Sequence, residues 1–392
     1  MRGVAVVSLV DGFAFRSFCG HSGTAEHYIT VEAPGDLSLL RQLDIITQRY
    51  AEAMQTLRLR PDSAVFRRFY LSDAANQDAV VRRSSLFGEP QDSPVAVSIV
   101  EQPPLSGGKV AMLAYHLESP AELAKSHVPP QHVLVERGRL GHLWSTQLSG
   151  SNSQRPRPAG DQTEYVFDSL VDALSARGAT LAANCVRTWI YIKDIDMFYQ
   201  DVVAARTGLF NQHGLTLDTH YIASTAIGGA CAGRFNIVMM DAYSILGLES
   251  GQVSYLSAYD RICATKDYNV TFERGTRVAY SDRAHHFISG TASIDAAGDV
   301  VHVGNVERQA GQALDNVDAL LRSGGASLAD MTHFIVYLRD SSDYPALQGY
   351  FAERFPQVPR LIVRGAVCRP EWLVEVEGVA IVPHDGPALP PF

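Results

Sequence analysis

The sequence predicts an α+β fold made of three consecutive units, and a short repeated phrase is the first observation behind this prediction. An apolar residue, Tyr, Leu or Ile, any residue and Asp follow one another at three places in the chain. Stretches with apolar residues at helical spacing precede these phrases, and Gly-punctuated β-rich stretches lie ahead of the helices. The copies begin at Phe69, Ile190 and Val336, at intervals of roughly domain size.

Each phrase is predicted to be a β-strand between two helices. In the last unit, Leu314, Val317 and Leu321 recur at helical spacing ahead of the phrase, and residues 344–355 form a second helix-like run behind it. The Asp of each phrase is therefore expected to end a strand and to open the turn into the next helix, rather than to act in catalysis.

Further strands complete the units. Residues 286–303 and 373–382 have the β-rich composition and the turn residues that are typical of strands. We expect each unit to hold a mixed sheet with two helices. The predicted boundaries of the units are 1–120, 121–255 and 256–392.

The composition indicates a globular protein that acts on a small molecule. Of 392 residues, 46% are hydrophobic and 19% are charged, and no stretch approaches the ~20 continuous apolar residues of a membrane span. The start of the chain lacks the features of a signal peptide, which predicts a cytoplasmic protein. A net charge of −9 without a basic block argues against nucleic acid. We expect a small-molecule substrate, no membrane partner, and a monomer or small homo-oligomer.

No cofactor is expected from the sequence. The five cysteines lack CxxC or Cys/His spacing, and the 13 histidines include no HExxH pattern, so neither a disulfide framework nor a metal site is predicted. The glycine pairs at 107–108 and 228–229 lack the flanking residues of a nucleotide-binding loop.

A series of motifs in the third unit carries a resemblance to a known family. The motifs, in order, are Ile288-Ser289-Gly290, Gly298, Gln309, Asn316, Gly325-Ala326-Ser327-Leu328, Val336-Tyr337-Leu338-Arg339-Asp340, Pro359-Arg360 and Val374-Glu375-Val376-Glu377-Gly378-Val379-Ala380. With them, residues 284–383 resemble the YjgF/YER057c/UK114 family, also called Rid, whose small α+β members form trimers with ligand sites between subunits. Three Rid/YjgF-like units in one chain would imitate that trimer, which predicts an intramolecular pseudo-trimer.

Three other phrases extend a resemblance over nearly the whole chain. They are Ala223-Ser224-Thr225, Phe272-Glu273-Arg274-Gly275-Thr276 and Ser289-Gly290-Thr291-Ala292-Ser293. With these phrases the chain resembles the chorismatases, enzymes of bacterial secondary metabolism built on the same fold. The resemblance implies a cofactor-free enzyme that releases pyruvate from chorismate, as a lyase or hydrolase. A Rid-type enamine/imine deaminase and a non-enzymatic metabolite-binding protein are the alternatives.

The resemblance places one active site in the third unit. In Rid proteins an Arg after Pro binds the substrate carboxylate, and a Glu fifteen residues later faces the same pocket. Arg360 and Glu375 keep this spacing. The first unit has Val95 and Val110 at these positions, and the second unit shows no Pro-Arg pair around residues 220–241. We therefore expect two sites to be lost and one to remain, within residues 256–392.

Glu375 is predicted to be the catalytic acid. It lies in an alternating strand, where apolar neighbours should raise its pKa and favour the protonated form. Protonation of an enol ether carbon needs such an acid. The alternatives are a solvated strand residue or an ion pair with Arg360, and Glu377 is expected to be structural.

Chorismate carries two carboxylates, so the resemblance implies guanidinium groups in its pocket. Arg206 and Arg274 lie in chorismatase-like phrases and, with Arg360, are the predicted substrate-binding arginines, with a surface ion pair as the alternative for each. Tyr221 and Tyr268 are candidates to offer hydroxyl groups to the substrate. Their alternative is core packing with a satisfied hydroxyl.

The resemblance to the chorismatases implies that Cys368 stands at a position that separates their subfamilies. A Cys here, together with a Gly in the pocket, goes with formation of 3-hydroxybenzoate, whereas aliphatic residues go with hydrolysis to the dihydroxycyclohexadiene acid. Cys368 is therefore predicted to be functional, with Gly275 as the companion glycine and 3-hydroxybenzoate as the product. The alternative is a packed core thiol, since no His stands nearby in a nucleophile pattern.

Overall fold

Three six-stranded mixed sheets follow one another along the chain. The computed structural model describes residues 6–10, 12–87, 93–120, 123–150, 156–265 and 270–392. These residues contain 18 β-strands and seven α-helices, which confirms the predicted α+β class. Within the same part of the chain, no helix combines the length and the apolar character needed to cross a membrane.

The first sheet comes from the N-terminal part of the chain. Its unit consists of β1 (Val6–Val10), β2 (Phe13–Cys19), β3 (Ala25–Glu32), α1 (Leu39–Leu57), β4 (Ala64–Leu71), α2 (Ala74–Val81), β5 (Ala96–Glu101) and β6 (Val110–Glu118). The strand order is β1-β2-β3-β6-β4-β5. Only β4 and β5 pair in parallel. Helix α1 begins after Ser38, whose side chain accepts a hydrogen bond from the Arg41 amide and so caps the helix.

The second sheet repeats this order with the next six strands. Its unit consists of β7 (Ala124–Val128), β8 (His132–Arg137), β9 (Leu140–Ser149), α3 (Ala159–Ser175), α4 (Leu181–Asn184), β10 (Cys185–Ile192), α5 (Ile195–Gln212), β11 (Ala223–Gly228) and β12 (Val238–Leu246). The order β7-β8-β9-β12-β10-β11 matches the first sheet strand for strand. The parallel pair, β10 with β11, also holds the equivalent place.

The third sheet has the same order again. Its unit consists of β13 (Val253–Tyr255), β14 (Gly275–Ala279), β15 (Arg283–Ala292), α6 (Val306–Ser323), β16 (Met331–Leu338), α7 (Tyr344–Arg354), β17 (Arg360–Arg364) and β18 (Val374–Pro383). The order is β13-β14-β15-β18-β16-β17, with β16 and β17 parallel. The short strand β13 belongs to this sheet, although it precedes residue 256, where we predicted that the third unit begins.

The repeated phrase ends a central strand of each sheet, as predicted. Asp73 follows β4 and caps α2, because its side chain accepts a hydrogen bond from the Asn76 amide (3.2 Å). Asp194 follows β10 and lies at the N-terminus of α5. Asp340 follows β16 and accepts a hydrogen bond from the Ser342 amide (2.9 Å) in the turn before α7. The three aspartates therefore have the helix-starting role expected from the sequence.

Each sheet contacts both of the others through buried groups. One isolated β-bridge joins each pair of sheets, at Glu101 and Ala230, at Pro104 and Val363, and at Ala223 and Glu273. Buried ion pairs also join each pair of sheets, among them Arg68–Asp241 (2.9 Å), Arg187–Glu377 (2.6 Å) and Arg283–Glu26 (2.7 Å). Buried charges are costly unless they are paired, so these contacts fix how the sheets sit against one another.

Candidate active site

A cavity of about 300 Å³ lies between the second and third sheets, which is a size typical of small-molecule sites. Strand β11 and helix α5 form one wall, and β15, β18 and the chain before β18 form the other. Hydrogen bonds join the walls: the Ser224 amide donates to Ser289 Oγ (2.9 Å), and the Gly290 amide donates to Thr225 Oγ1 (2.8 Å). The site expected within 256–392 is thus shared with the second unit, because the cavity forms where two sheets meet.

Glu375 projects into this cavity from β18. It is 5% exposed, and among the described residues its carboxyl group makes no hydrogen bond or ion pair. The pKa of Glu375 is raised to about 8, first by burial and then by the negative charge of Glu377. The positive charges of Arg187 and Arg274 lower the pKa and only partly offset this rise. At neutral pH Glu375 is therefore a protonated acid.

Strand register shows why the other two units lack this acid. Glu375 lies opposite the tyrosine of the repeated phrase in the third sheet. The residue opposite the equivalent tyrosine is Met239 in the second sheet and Ala111 in the first. Neither residue can donate a proton, so this register position carries a carboxyl group in the third unit alone.

Gly290 provides the space that the Glu375 carboxyl group occupies. A Cβ atom added at Gly290 would lie 2.0 Å from Glu375 Oε1 and 2.9 Å from Thr225 Cγ2. Both distances are shorter than van der Waals contact, so any larger residue would displace the acid. Gly290 is thus a glycine that the position of Glu375 requires.

Glu377 lies two residues beyond Glu375 and is held by several donors. Its carboxylate accepts hydrogen bonds from Arg187 Nη2 (2.6 Å), Trp189 Nε1 (2.9 Å) and the Tyr337 hydroxyl (2.8 Å). The hydroxyl of Thr225 also donates to it. Glu377 is therefore the buried, charge-paired carboxylate of the region, in keeping with the structural role predicted for it.

Two buried arginines line the cavity opposite the acid. Arg206, from α5, donates a hydrogen bond from Nε to Thr271 Oγ1 (3.0 Å). Arg274, just before β14, donates from Nη2 to the Cys263 carbonyl (3.2 Å). Fixed guanidinium groups of this kind bind carboxylates through charge-assisted hydrogen bonds. The two arginines therefore give the cavity an anion-binding side.

Cys368 also lines the cavity, next to Tyr199 and Glu375. Its side chain is free and only partly exposed. Burial raises the pKa of the Cys368 thiol to about 12, and the neighbouring Glu375 adds to this rise. A thiol that stays protonated is a weak hydrogen-bond donor and not a thiolate nucleophile.

Arg360 does not share the cavity with Glu375, in contrast to the expectation from their spacing. It lines a separate cavity that also contains Glu32 of the first unit. The reason is the topology: β17 is the edge strand of the third sheet and faces the first sheet. The strand beside Glu375 is instead β11, the edge strand of the second sheet. At the register position where β17 has Arg360, β11 has Ser224.

Two further predicted residues, Tyr221 and Gly275, lie around the cavity rather than in it. Tyr221 lines a smaller neighbouring cavity that shares Arg274 with the first, and its side chain packs near Phe210. Gly275 is buried in β14, where a Cβ atom would lie 2.9 Å from Leu256 Cδ1, so packing explains the glycine. Tyr268 lies outside the described residues.

Sequence reasoning missed four residues that build the site. Thr225 and Gly290 lie in phrases that carried the chorismatase resemblance, yet we assigned them no role. Arg187 had a usable signal, since it is the one charged residue in the buried strand β10. Trp372 closes the cavity and donates from Nε1 to the Ser293 carbonyl (2.9 Å), and its sequence context gives no hint of this.

The fold and the cavity define an α+β protein with a ligand site at the junction of two sheets. A sequence model described as endoribonuclease L-PSP matches residues 275–382. The 3-aminoacrylate deaminase RutC of Acinetobacter baylyi is 37% identical over 98 residues, which are 24% of this chain and 78% of that protein. The chain belongs to the endoribonuclease L-PSP family, through its C-terminal part.

Two other relatives are similar over most of the chain. The 3-hydroxybenzoate synthase of Streptomyces hygroscopicus is 26% identical over 315 residues, which are 72% of this chain and 89% of that protein. A crystal structure of a chorismatase matches with a TM-score of 0.61 and 18% identity, over 81% of this chain and 93% of that one. These similarities confirm the resemblance to chorismatases that the sequence motifs indicated.

Proposed function

We propose that this chain is a chorismatase, which releases pyruvate from chorismate to form 3-hydroxybenzoate. The observation that carries the proposal is the protonated, unpaired carboxyl group of Glu375 in a cavity with two buried arginines. Similarity to a 3-hydroxybenzoate synthase over 72% of the chain supports 3-hydroxybenzoate as the product. The cavity therefore combines an acid with an anion-binding side, as a dicarboxylate enol ether requires.

Glu375 starts the reaction as a general acid. Its O–H bond breaks and the proton bonds to the methylene carbon of the enolpyruvyl group, which leaves a carboxylate and an oxocarbenium ion. General-acid catalysis contributes about 10²–10⁴-fold to a rate. Glu375 is suited to the step because burial keeps it protonated at neutral pH. The new carboxylate then lies beside the cation that it has created, and so stabilises it.

Arg206 and Arg274 bind the carboxylates of the substrate in this proposal. Both guanidinium groups line the cavity and are anchored by other hydrogen bonds. Substrate binding therefore costs little further loss of side-chain conformational entropy. Arg274 also lowers the pKa of Glu375, because its positive charge favours the carboxylate. A bound substrate carboxylate would screen that charge and help Glu375 to hold its proton until the transfer.

The branch between two products depends on what captures the cation. In the internal route the C4 hydroxyl oxygen bonds to C3 and loses its proton while the C3–O bond to the protonated side chain breaks and releases pyruvate. The resulting epoxide then opens at C4 and loses the C3 proton, which gives 3-hydroxybenzoate, so the two products contain the atoms of chorismate with none added. Attack by one water instead gives the trans-dihydroxycyclohexadiene carboxylate and pyruvate. Cys368 and Trp372 line the cavity with groups that do not deliver water, which supports capture within the substrate.

A Rid-type deaminase is the second candidate, and the similarity to a 3-aminoacrylate deaminase favours it. That chemistry would use Arg360 and Glu375 on one small substrate. The two residues line different cavities in this protein, so the geometry supports chorismate better. A non-enzymatic metabolite-binding protein would not require a protonated carboxyl group at Glu375.

The proposal includes an intramolecular pseudo-trimer of three Rid-like units, at about 1–120, 121–255 and 256–392. The shared strand order of the three sheets supports it, as do the isolated β-bridges and the buried ion pairs that join each pair of sheets. A trimer of identical chains has three such junctions by symmetry. A monomer or small homo-oligomer would then suffice for activity.

Incubation of the purified protein with chorismate tests the function. Pyruvate should appear at the rate at which chorismate disappears, and chromatography should identify 3-hydroxybenzoate. Incubation with an imine generated in the reaction mixture, followed by ammonia measurement, tests the deaminase. Ammonia release without pyruvate release would replace the proposal by the deaminase, and release of neither would favour a binding protein.

A further inference from the structure

The chain between β17 and β18 supplies part of the wall of the catalytic cavity. We call this segment, residues 365–373, the cavity loop. Its residues Cys368, Arg369 and Trp372 line the cavity around Glu375. In the proposed reaction, the thiol and the indole of this loop face the substrate without delivering water. The position of the cavity loop therefore determines whether water reaches the substrate from this side.

The repeated phrase of the third unit holds both ends of the cavity loop. At one end, the Gly365 amide donates a hydrogen bond to the Leu338 carbonyl (2.9 Å). At the other end, the Arg339 amide donates to the Leu373 carbonyl (3.0 Å). These backbone bonds fix where the loop begins and ends, but they do not fix its middle, where Cys368 lies.

The side chain of Arg339 connects the middle of the cavity loop to the second unit. Its Nη2 donates to the carbonyl of Val367, the residue immediately before Cys368. The same guanidinium group donates to both carboxylate oxygens of Asp196, from Nη1 (2.9 Å) and from Nη2 (2.8 Å). A guanidinium group can form these bonds together because its donors are arranged in a rigid plane. Arg339 thus joins the loop to the start of α5.

Asp196 lies on the face of α5 that lines the cavity. Tyr199 and Arg206 line the cavity from this helix and follow Asp196 by three and ten residues, which is the spacing of one helix face. Tyr199 also lies next to Cys368. The cavity loop is therefore held against α5 at two points about one helical turn apart, at Asp196 and at Tyr199.

The other two junctions lack the carboxylate of this ion pair. Asp196 is the second residue after the aspartate of its phrase, and the same position holds Ala75 in the first unit and Ser342 in the third. Neither of these residues can pair with a cation. An ion pair that only joined neighbouring units would suit all three junctions equally. The pair formed by Arg339 instead occurs at the junction that holds Glu375.

The exposure of the ion pair also favours a local role. The side chains of Arg339 and Asp196 are 19% and 49% exposed, and ion pairs that solvent reaches contribute little to the stability of a fold. A hydrogen bond from Arg339 lowers the pKa of Asp196, so the pair is charged at neutral pH. The contacts of Arg339 therefore matter more for the position of the cavity loop than for the stability of the whole chain.

We propose that Arg339 is a positioning residue that sets the product of the reaction. With Asp196 it holds the cavity loop against α5, so that the loop keeps water away from the substrate. This role rests on the proposed chorismatase function. Arg339 is not among the described residues that line the cavity, so it acts through the loop and leaves protonation by Glu375 unchanged. Loss of its contacts frees the middle of the loop, and the attack of one water then gives the dihydroxy acid and pyruvate.

Arg339→Gln tests this role through the product ratio, because it removes the ion pair and the donor to Val367 without changing the cavity lining. We expect the dihydroxy acid to rise about fivefold or more relative to 3-hydroxybenzoate, where about fivefold is the most that one such ion pair contributes. Pyruvate release should stay near the wild-type rate. Arg339→Lys keeps the charge and should give a ratio between those of Arg339→Gln and the wild type.

Arg322→Gln is the matched control. It removes an exposed ion pair with Asp318 on α6 (2.6 Å), and neither residue lines the cavity. This variant should make the products in the wild-type ratio. Thermal unfolding of both Gln variants shows whether either change acts through stability, and we expect similar, small shifts.

Alkylation of Cys368 by iodoacetamide, followed by mass spectrometry, measures the position of the loop without chorismate. We expect Arg339→Gln to speed this alkylation severalfold relative to that of Cys231 in the same protein. If Arg339→Gln does not fold, Asp196→Asn provides the test at a half-exposed position. It should change both measurements in the same direction but less, because the bond to Val367 remains.

Unchanged products in a folded Arg339→Gln protein would overturn the inference, whether or not alkylation becomes faster. An equal change in Arg322→Gln would overturn it too, because the effect would then not depend on the cavity loop. If the wild type released no pyruvate from chorismate, the proposed function would fail and the role of Arg339 in product choice would fail with it. The alkylation rates would still show whether Arg339 holds the loop, so the two failures are distinguishable.

Discussion

Glu375 and Glu377 project from the same face of β18, yet only Glu377 is held by hydrogen bonds. Arg187 pairs with Glu377 and neutralises it at the junction of the second and third sheets. Glu375 faces the cavity and remains protonated, because burial and the neighbouring carboxylate both disfavour its charge. One strand thus supplies a fixed ion-pair partner and a proton donor two residues apart.

Replacement of Glu375 by Gln should abolish turnover and keep the fold. The amide has nearly the same shape, but it has no proton of suitable acidity to transfer. We expect pyruvate release to fall about 10²-fold or more, the usual contribution of a general acid, with an unchanged thermal unfolding temperature. Glu371→Gln, at an exposed position four residues earlier, is the control and should stay active. Retention of more than about a tenth of the activity by Glu375→Gln would argue against general-acid catalysis.

The pH dependence of kcat/KM should reveal the raised pKa of Glu375. The acid acts in its protonated form, so the rate should be full at lower pH and fall as the pH rises through about 8. Glu377→Gln removes a negative charge and leaves Arg187 unpaired, and both changes lower the pKa of Glu375. The alkaline limb should therefore move to lower pH in Glu377→Gln, and an unmoved limb would contradict the role of Glu377.

Gly290→Ala should damage the acid site specifically. Its Cβ atom would lie 2.0 Å from Glu375 Oε1, so the carboxyl group must move away from its position. We expect a large loss of kcat and a stability loss of about 1–3 kcal/mol, as for other overpacked sites. Gly208→Ala is the control, because an added Cβ there meets nothing within 4 Å. Wild-type kcat in Gly290→Ala would show that the acid tolerates displacement.

Cys368→Ala should change the product and leave protonation intact. The smaller side chain opens space beside Glu375 for a water molecule, which can then capture the cation. We expect the dihydroxy acid to rise relative to 3-hydroxybenzoate, as measured by chromatography. Cys231→Ala, which does not line the cavity, serves as the control. An unchanged ratio would make Cys368 a packed thiol and leave the role of Glu375 untouched.

The sequence was sufficient to predict the fold class and to name four residues that line the cavity. The repeated phrase located a central strand of each sheet, because the phrase itself and the aspartates that follow β4, β10 and β16 are local features of the sequence. Glu375, Cys368, Arg206 and Arg274 were named from motifs, and the structure brings them into one cavity. Their chemical roles stay predictions until the variants above are measured.

Arg360 illustrates what the sequence did not contain. A spacing of fifteen residues places Arg360 and Glu375 on neighbouring parts of one sheet, but it does not say which other sheet each residue faces. That depends on contacts such as the bridge between Pro104 and Val363, which join distant parts of the chain. Arg187, from the second sheet, was missed for the same reason, because its partner Glu377 lies in the third.

The carboxyl group at Glu375 has Met239 and Ala111 as its counterparts in the other two sheets. In an assembly of identical subunits, one change in the gene alters every interface at once, so a harmful change at one interface is harmful at all of them. A single polypeptide frees each junction to accept its own substitutions. The junction of the second and third sheets can therefore carry an acid while the other two sheets have apolar residues at that position, although the strand order of all three sheets is the same.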